Sequence, residues 1–310
     1  MKILVTGGAG YIGNCLVRRL LARGDEVTVY DTFDYGVTPA LYLQKAGARL
    51  IRGDIRDDAS LSSAILGHDA VFHLASLVGF PICARKPVEA HKIIVEGTQN
   101  VIRACHNAQD IPLLYASTGS VYGQIDDLCT EDTTPNPQSE YGKFKFEAEQ
   151  SVLSYGGVGL RFATVFGLSP CMRYDLMPND FCWKAVRDKY IVLYRGSDRR
   201  TFLHIEDTVD AYVRALAQYT TCSGEAYNVG DERMNLTKLA LAETVQRLHN
   251  YKLIAEGTGE DPDFRDYEVN YQKFHKATGF TAKVGLETGL QEVIDFTNVA
   301  DLIVPWRLPV

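Results

Sequence analysis

Short apolar runs recur along the chain with helix-length amphipathic stretches between them, at Ile3–Val5, Glu26–Tyr30, Arg49–Arg52, Ala70–Leu74, Pro112–Ala116 and Val158–Phe162. Strand-like runs alternating with helices predict an α/β fold, a doubly wound parallel sheet of Rossmann type. The first run passes through Thr6-Gly7-Gly8-Ala9-Gly10-Tyr11-Ile12-Gly13 into the helix-spaced stretch Asn14–Leu21. Pro87–His106 predicts a long helix with its proline in the first turn, where no backbone donor is lost. Beyond Gly167 the pattern breaks into Pro, Asp, Asn and Arg among short elements, with helices predicted at Met177–Lys189, Asp207–Gln218 and Leu236–Leu248. The expected organisation is a dinucleotide-binding domain over 1–167 and a smaller C-terminal substrate-binding lobe over 168–310, with some segments of the latter returning to the main sheet.

The chain has 310 residues, 46% of them hydrophobic, enough for one large α/β domain or a large and a small one. A net charge of −7 disfavours nucleic acid and anionic membrane as partners, while leaving room for a local basic pocket that binds phosphate. No charged leader precedes Ile3, and no apolar run reaches the length of a membrane span. Seven cysteines without a C-x-x-C pair read as reduced thiols of a cytoplasmic protein, against disulfides and against a metal site.

The glycine segment carries the first candidate chemistry. Between a strand and a helix, Gly7 permits a tight turn, Gly10 lets backbone approach a pyrophosphate, and Gly13 lets helix pack on strand. Asp31, eighteen residues past Gly13, ends the run Val27-Thr28-Val29-Tyr30, where a carboxylate would grip a ribose 2′-hydroxyl. It would also repel a 2′-phosphate, and Thr32-Phe33-Asp34-Tyr35 offers no cation to bind one, which favours NAD over NADP. Asp54, after the third run, reads either as an adenine contact or as a helix cap.

Tyr141 and Lys145 are four apart and share one helix face. That spacing is common by chance, and a packed ring is the other reading of Tyr141. The context is more specific, since the pair follows Ser117-Thr118-Gly119-Ser120-Val121-Tyr122-Gly123, which puts small hydroxyls at the carboxyl end of a parallel sheet. A free tyrosine, pKa near ~10, is a poor base at neutral pH. A neighbouring lysine and an oxidised nicotinamide would lower it, with Thr118 bonded to the same hydroxyl.

Together with Gly53-Asp54-Ile55-Arg56-Asp57, His73-Leu74-Ala75-Ser76 and Arg200-Thr201-Phe202-Leu203-His204-Ile205-Glu206-Asp207, these motifs stand in the order of a known family. Over nearly its whole length the chain resembles the extended short-chain dehydrogenase/reductases, in their nucleotide-sugar epimerase branch. The resemblance implies Tyr141 as base, Thr118 beside it and Lys145 as its ribose-binding partner. It implies a cofactor wall of Gly7, Gly10, Tyr11, Ile12, Gly13, Asp31, Asp54, Ile55, Leu74 and Ala75. On the substrate side it implies Ser76, Val78, Ser120 and Arg200, with Asp175 and Asn179 either contacting sugar or nucleotide or capping the next helix. Cys83 and His91 read as extra acid-base groups or, more commonly for such residues, as a buried thiol and a helix-surface histidine.

Departures from the family pattern narrow the activity. Gly119 and Ser120 stand where 4,6-dehydratases carry an Asp-Glu pair, and Ser120 where the 3,5-epimerase branch carries cysteine. Thr201 replaces a usual Asp, and Asp261-Pro262 a usual Arg-Pro, which leaves Arg265 as the candidate second phosphate arginine. The implied activity is an NAD-dependent epimerase acting on a nucleotide-diphosphate sugar through a transient ketosugar. The alternative is an NAD(P)H-dependent nucleotide 4-ketosugar reductase, whereas a dinucleotide-sensing regulator would be expected to have lost the Thr-Tyr-Lys set. Relatives pair through two helices per subunit, which here would be Pro87–His106 and Glu140–Leu153 of a homodimer.

Overall fold

The computed structural model describes residues 1–255 and 265–300. Ile3, Leu4 and Val5 are fully buried in the strand β1 (Lys2–Thr6), covered on both sheet faces. A strand so covered reads as an unbroken apolar run. Six more strands join it: β2 (Glu26–Asp31), β3 (Arg49–Arg52), β4 (Ala70–His73), β5 (Leu113–Thr118), β6 (Val158–Phe162) and β7 (Ala226–Val229). All pairings are parallel, and the order across the sheet is β7-β6-β5-β4-β1-β2-β3. The chain reverses its direction of travel between β1 and β4, and the crevice at the carboxyl ends of these strands is where such sheets bind ligands. Two apolar cores, one built around Ile3, Val5 and Leu16 and the other around Leu4, Tyr30 and Val71, lie on the opposite faces.

Several expected boundaries move. β4 stops at His73, so Leu74 belongs to the loop after it, and β5 starts past Pro112 and runs on to Thr118. The helix α1 (Tyr11–Ala22) starts three residues before the expected Asn14, placing Gly13 within its first turn. The long helix is interrupted: α-helical Pro87–His91 and Gly97–Asn107 are joined by a π turn at Lys92–Glu96. Leu236 sits not in a helix but in the strand Asn235–Thr237, paired antiparallel with Arg199–His204. The helix Lys238–Leu248 begins only after Thr237, whose hydroxyl accepts from the Ala240 amide at 3.1 Å. Strand β7 returns to the main sheet from the later half of the chain. A third core, around Phe181, Phe202 and Leu241, lies under the small sheet of that half. Among the described residues no helix is long and apolar enough to cross a membrane.

Helix α2 (Glu140–Tyr155) is capped by the Ser139 hydroxyl on the Gly142 amide and ended by Gly156 at φ +92°. Its inner face buries Glu149 completely against Arg161 of β6. The guanidinium donates through Nη2 to Oε1 at 2.7 Å and through Nε to both carboxylate oxygens. Ser117 of β5 donates to Oε2 at 2.6 Å. Removing one member of a buried ion pair strands the other charge. Glu149→Ala should therefore lower stability by roughly 3–5 kcal/mol. Chemical denaturation checks this, and a loss below about 1 kcal/mol, the value of an exposed pair, would contradict it.

Candidate active site

A cavity of about 790 Å³ opens at the carboxyl ends of the central strands. Its floor is the glycine turn. Gly7 adopts φ +69°, and a Cβ there would lie 2.6 Å from the Ala75 amide nitrogen; one on Gly13 would lie 2.3 Å from the Gly7 carbonyl oxygen. Any side chain at either position would push the turn off the sheet. Gly10 precedes α1 without a side-chain cap, so the helix start, with its amide donors and positive dipole end, is left to an anion. That arrangement fits a pyrophosphate. Gly7, Gly10, Tyr11, Ile12 and Gly13 all line the cavity, as do Ile55, Leu74, Ala75, Ser76 and Val78.

At the end of β2, the Asp31 carboxylate accepts from the Ala9 amide at 3.0 Å and the Phe33 amide at 2.9 Å. Burial raises its pKa, opposed by those two amides. The carboxylate is thereby aimed into the cavity beside the glycine turn, in a position suited to a ribose diol. Sequence reading missed a cation nearby, because Arg56 reaches the same wall from the loop after β3. Its charge is matched by Asp54, with Nη2 at 2.5 Å from Oδ2, and the pairing lowers the Asp54 pKa. Asp54 lines the cavity and is not a helix cap; Asp57 fills that role by accepting from the Ser60 amide at 3.1 Å.

Thr118, Tyr141 and Lys145 line the same cavity. Thr118 ends β5, while Tyr141 and Lys145 lie on successive turns of α2. The Thr118 hydroxyl accepts from the Ser120 amide and donates to the Ser120 hydroxyl, both at 3.1 Å. Lys145 is buried with its ammonium 4.0 Å from the centre of the Tyr115 ring. Here the charges depart from expectation. Burial raises the Tyr141 pKa, and the largest opposing charge is Arg173, followed by the Thr118 hydroxyl and then Arg265. Lys145 is itself pushed down to about 7 by burial, with Glu149 opposing. A desolvated acid and a desolvated base are both driven toward their neutral forms, and burial is the largest influence on each of the two.

Farther along the wall, Ser120 accepts from Arg265 Nη1 at 2.9 Å, and the buried Arg200 donates through Nη1 to the carbonyls of Arg199 and Arg265. Arg200, Arg265 and Ser120 line the cavity with Tyr267; Thr201 is buried away from it, and Asp261 and Pro262 lie outside the described residues. Asp175 lines the cavity and holds Arg173, Nη2 to Oδ2 at 2.6 Å. Asn179 does not reach the cavity. It is completely buried, accepts from the Gly167 amide and donates to Tyr11 and to the Arg173 carbonyl, so its expected contact with substrate is corrected to a structural one.

Cys83 is fully buried beneath the site, its thiol donating to the Leu77 carbonyl at 3.6 Å and pushed up to about 11 by burial. His91 sits on the outer helix face, 3.4 Å from Glu96. Neither lines the cavity. Arg173, Arg56 and the Tyr11 phenol are the residues that sequence reasoning overlooked. Arg56 and Arg173 are each held by an aspartate two residues away, but the cavity wall they reach is set by chain remote in sequence, which no local spacing marks.

The model of the NAD dependent epimerase/dehydratase family matches residues 3–230. CDP-paratose 2-epimerase of Salmonella typhi is 29% identical, over 96% of this chain and 99% of its own. The crystal structure of UDP-glucose 4-epimerase from Thermus thermophilus in complex with NAD is similar at a TM-score of 0.83 and 26% identity, covering 97% of this chain and 100% of that one. UDP-glucuronic acid 4-epimerase from Bacillus cereus, in complex with UDP-glucuronic acid and NAD, is similar at 0.84 and 27% identity, covering 96% and 99%.

The depressed Lys145 pKa has a defined pH signature. The folded protein releases this proton near pH 7 while the unfolded chain keeps it to about 10.5. Within that window the unfolded state binds more protons, so this one group adds stability as pH rises through it. Nitrogen-15 lysine NMR of the NAD-free protein should show one side chain titrating near pH 7. A Lys145 signal that titrates with the exposed lysines, above pH 10, would contradict it.

Proposed function

Because the chain belongs to the NAD dependent epimerase/dehydratase family, we propose that it is an NAD-dependent epimerase of a nucleotide-diphosphate sugar, acting through a transient ketosugar. The observation that carries this reading is the opening of Thr118, Tyr141 and Lys145 onto the cavity that also holds the glycine turn and Asp31, with no acid at Gly119 or Ser120. The dinucleotide would supply the oxidation of one sugar carbon and its reduction again on the other face. Tyr141 would take the proton of the sugar hydroxyl and return it, with Thr118 bonded to the same oxygen. Lys145 would hold the nicotinamide ribose, Asp31 the adenosine ribose, and the start of α1 the pyrophosphate. Arg200 and Arg265, which also line the cavity, would meet the diphosphate of the sugar nucleotide.

The reaction is tested with a panel of UDP-, GDP-, CDP- and dTDP-sugars and their 4-keto derivatives. The expected outcome is an epimer formed without net consumption of nicotinamide, and Tyr141→Phe lowering turnover by on the order of 10²-fold or more while NAD still binds. Stoichiometric oxidation of reduced nicotinamide with a ketosugar, and no epimer from any saturated sugar, would assign the chain to the ketosugar reductases.

Seven unpaired thiols support a cytoplasmic protein. Assembly as a homodimer is supported by the packing of Gly97–Asn107 side by side with α2, which leaves two adjacent helices on one outer face, with Val88 70% exposed close by. A four-helix contact between two copies would cover that face. Solution scattering at micromolar concentration should give the mass of two chains, and the mass of one would refute the dimer.

A further inference from the structure

Residues 167–176 contain no helix or strand, and five of them line the cavity. Cys171, Met172, Arg173 and Asp175 nevertheless present themselves to the cavity. Side-chain bonds hold them there, and these converge on one residue of the glycine turn. The Tyr11 hydroxyl donates to the Gly167 carbonyl at 2.7 Å and accepts from Asn179 Nδ2 at 3.2 Å. The Tyr11 carbonyl accepts from the Ser169 hydroxyl at 2.7 Å. Asn179 completes the frame, accepting from the Gly167 amide at 3.1 Å and donating to the Arg173 carbonyl at 3.0 Å. Tyr11, Ser169 and Asn179 are all buried, so no water stands ready to replace a lost bond.

Tyr11 is also the first residue of α1. Its backbone belongs to the helix start that faces the pyrophosphate position, while its phenol and carbonyl grip the opposing wall. An anion that orders the helix start orders both grips. We propose that Tyr11 is a positioning residue that makes the wall formed by residues 167–176 depend on occupation of the glycine turn, so that NAD completes the surface on which the sugar nucleotide is bound. The coupling is reciprocal, since whatever the dinucleotide does for the wall, a ligand on the wall does for the dinucleotide. A segment without regular structure is drawn from the low-stability end of the fold, where such coupling is most readily expressed. The inference rests on NAD as the ligand of the turn.

Hydrogen exchange of the full chain, with and without NAD, tests it, with calorimetry reporting NAD binding separately. In the wild type, NAD should slow exchange across residues 167–176 by roughly five-fold or more. Tyr11→Phe keeps the ring and the backbone amide; it should still bind NAD and protect the glycine turn, yet leave 167–176 exchanging as in the free protein. Ser169→Ala cuts the other grip and should lose part of the same protection, which provides a second reading should the Phe variant fail to fold. NAD-dependent protection of 167–176 that persists in both variants, or that is absent from an NAD-binding wild type, overturns the coupling. Failure of NAD to bind the wild type would overturn the reading of the cavity itself and the coupling with it.

Discussion

The carboxylate of Glu149 is the contact on which the geometry of the site depends. It lies four residues after Lys145 and eight after Tyr141 on α2, hence on the face that carries both. It is bonded to Ser117, one residue before Thr118, and to Arg161 on the neighbouring strand. One buried group thus ties the helix that carries Tyr141 and Lys145 to the strand that carries Thr118. Four hydrogen bonds reach the carboxylate, three from the guanidinium and one from Ser117, and Arg161 passes the network on to the Tyr122 hydroxyl at 3.0 Å. Such a pair gains little net stability over an apolar replacement, because desolvation consumes the Coulombic gain. What it adds is a single register of helix against sheet. Apolar packing alone tolerates small slips, and a shift of about 1 Å is enough to spoil a reacting geometry.

The same dryness sets the charges. With Tyr141 raised and Lys145 lowered to about 7, burial in the protein alone favours the neutral phenol and brings the lysine close to half-protonated at neutral pH. The proposed base catalysis by Tyr141 would therefore need positive charge brought to it, and on the cavity wall the strongest such influence is Arg173, not Lys145. The Arg173 guanidinium is held by two bonds to Asp175, and its backbone by Asn179. A further cation beside Tyr141 would lower the phenol pKa and that of Lys145 together. Lys145 can donate a hydrogen bond in either protonation state, so loss of its charge would not end the ribose contact proposed for it.

Period and punctuation made most of the main sheet legible. Its first six strands are apolar runs bounded by turns, and the glycine turn announces itself because strand, turn and helix follow without interruption. Strand β7 was not legible: Ala-Tyr-Asn-Val is short and has a polar residue at its centre. The centre is polar because Asn228 is buried for its bonds, accepting from the Tyr122 hydroxyl and donating to the Asn270 carbonyl. The π turn at Lys92–Glu96 has no mark in the hydrophobic pattern. In the site, residues offered by local motifs lie where strand ends and helix faces put them, whereas Arg173, Arg56 and the Tyr11 phenol depend on loops meeting across more than a hundred residues or on a turn's direction. Asn179 misled for the same reason. Its chemistry suits a sugar contact, but the fold spends every polar atom of it on the frame of the wall.

Position 119 shows how the fold and the chemistry constrain one another. A Cβ on Gly119 would lie 3.1 Å from the Tyr267 hydroxyl and 3.4 Å from the Phe162 carbonyl, so the strand Asp266–Val269 has been laid over the place where an aspartate side chain would project. At position 120 the side chain accepts from Arg265 and shares a hydrogen bond with Thr118. A glutamate there would face that guanidinium, which would hold it ionised and unable to donate the proton that elimination of water requires. An Asp-Glu pair set at these positions would therefore be hindered in dehydration, because the first would need the Tyr267 hydroxyl to give way by a few tenths of an ångström and the second would lack its proton. The packing around Tyr267 and the guanidinium of Arg265 thus both act against an acid pair at positions 119 and 120.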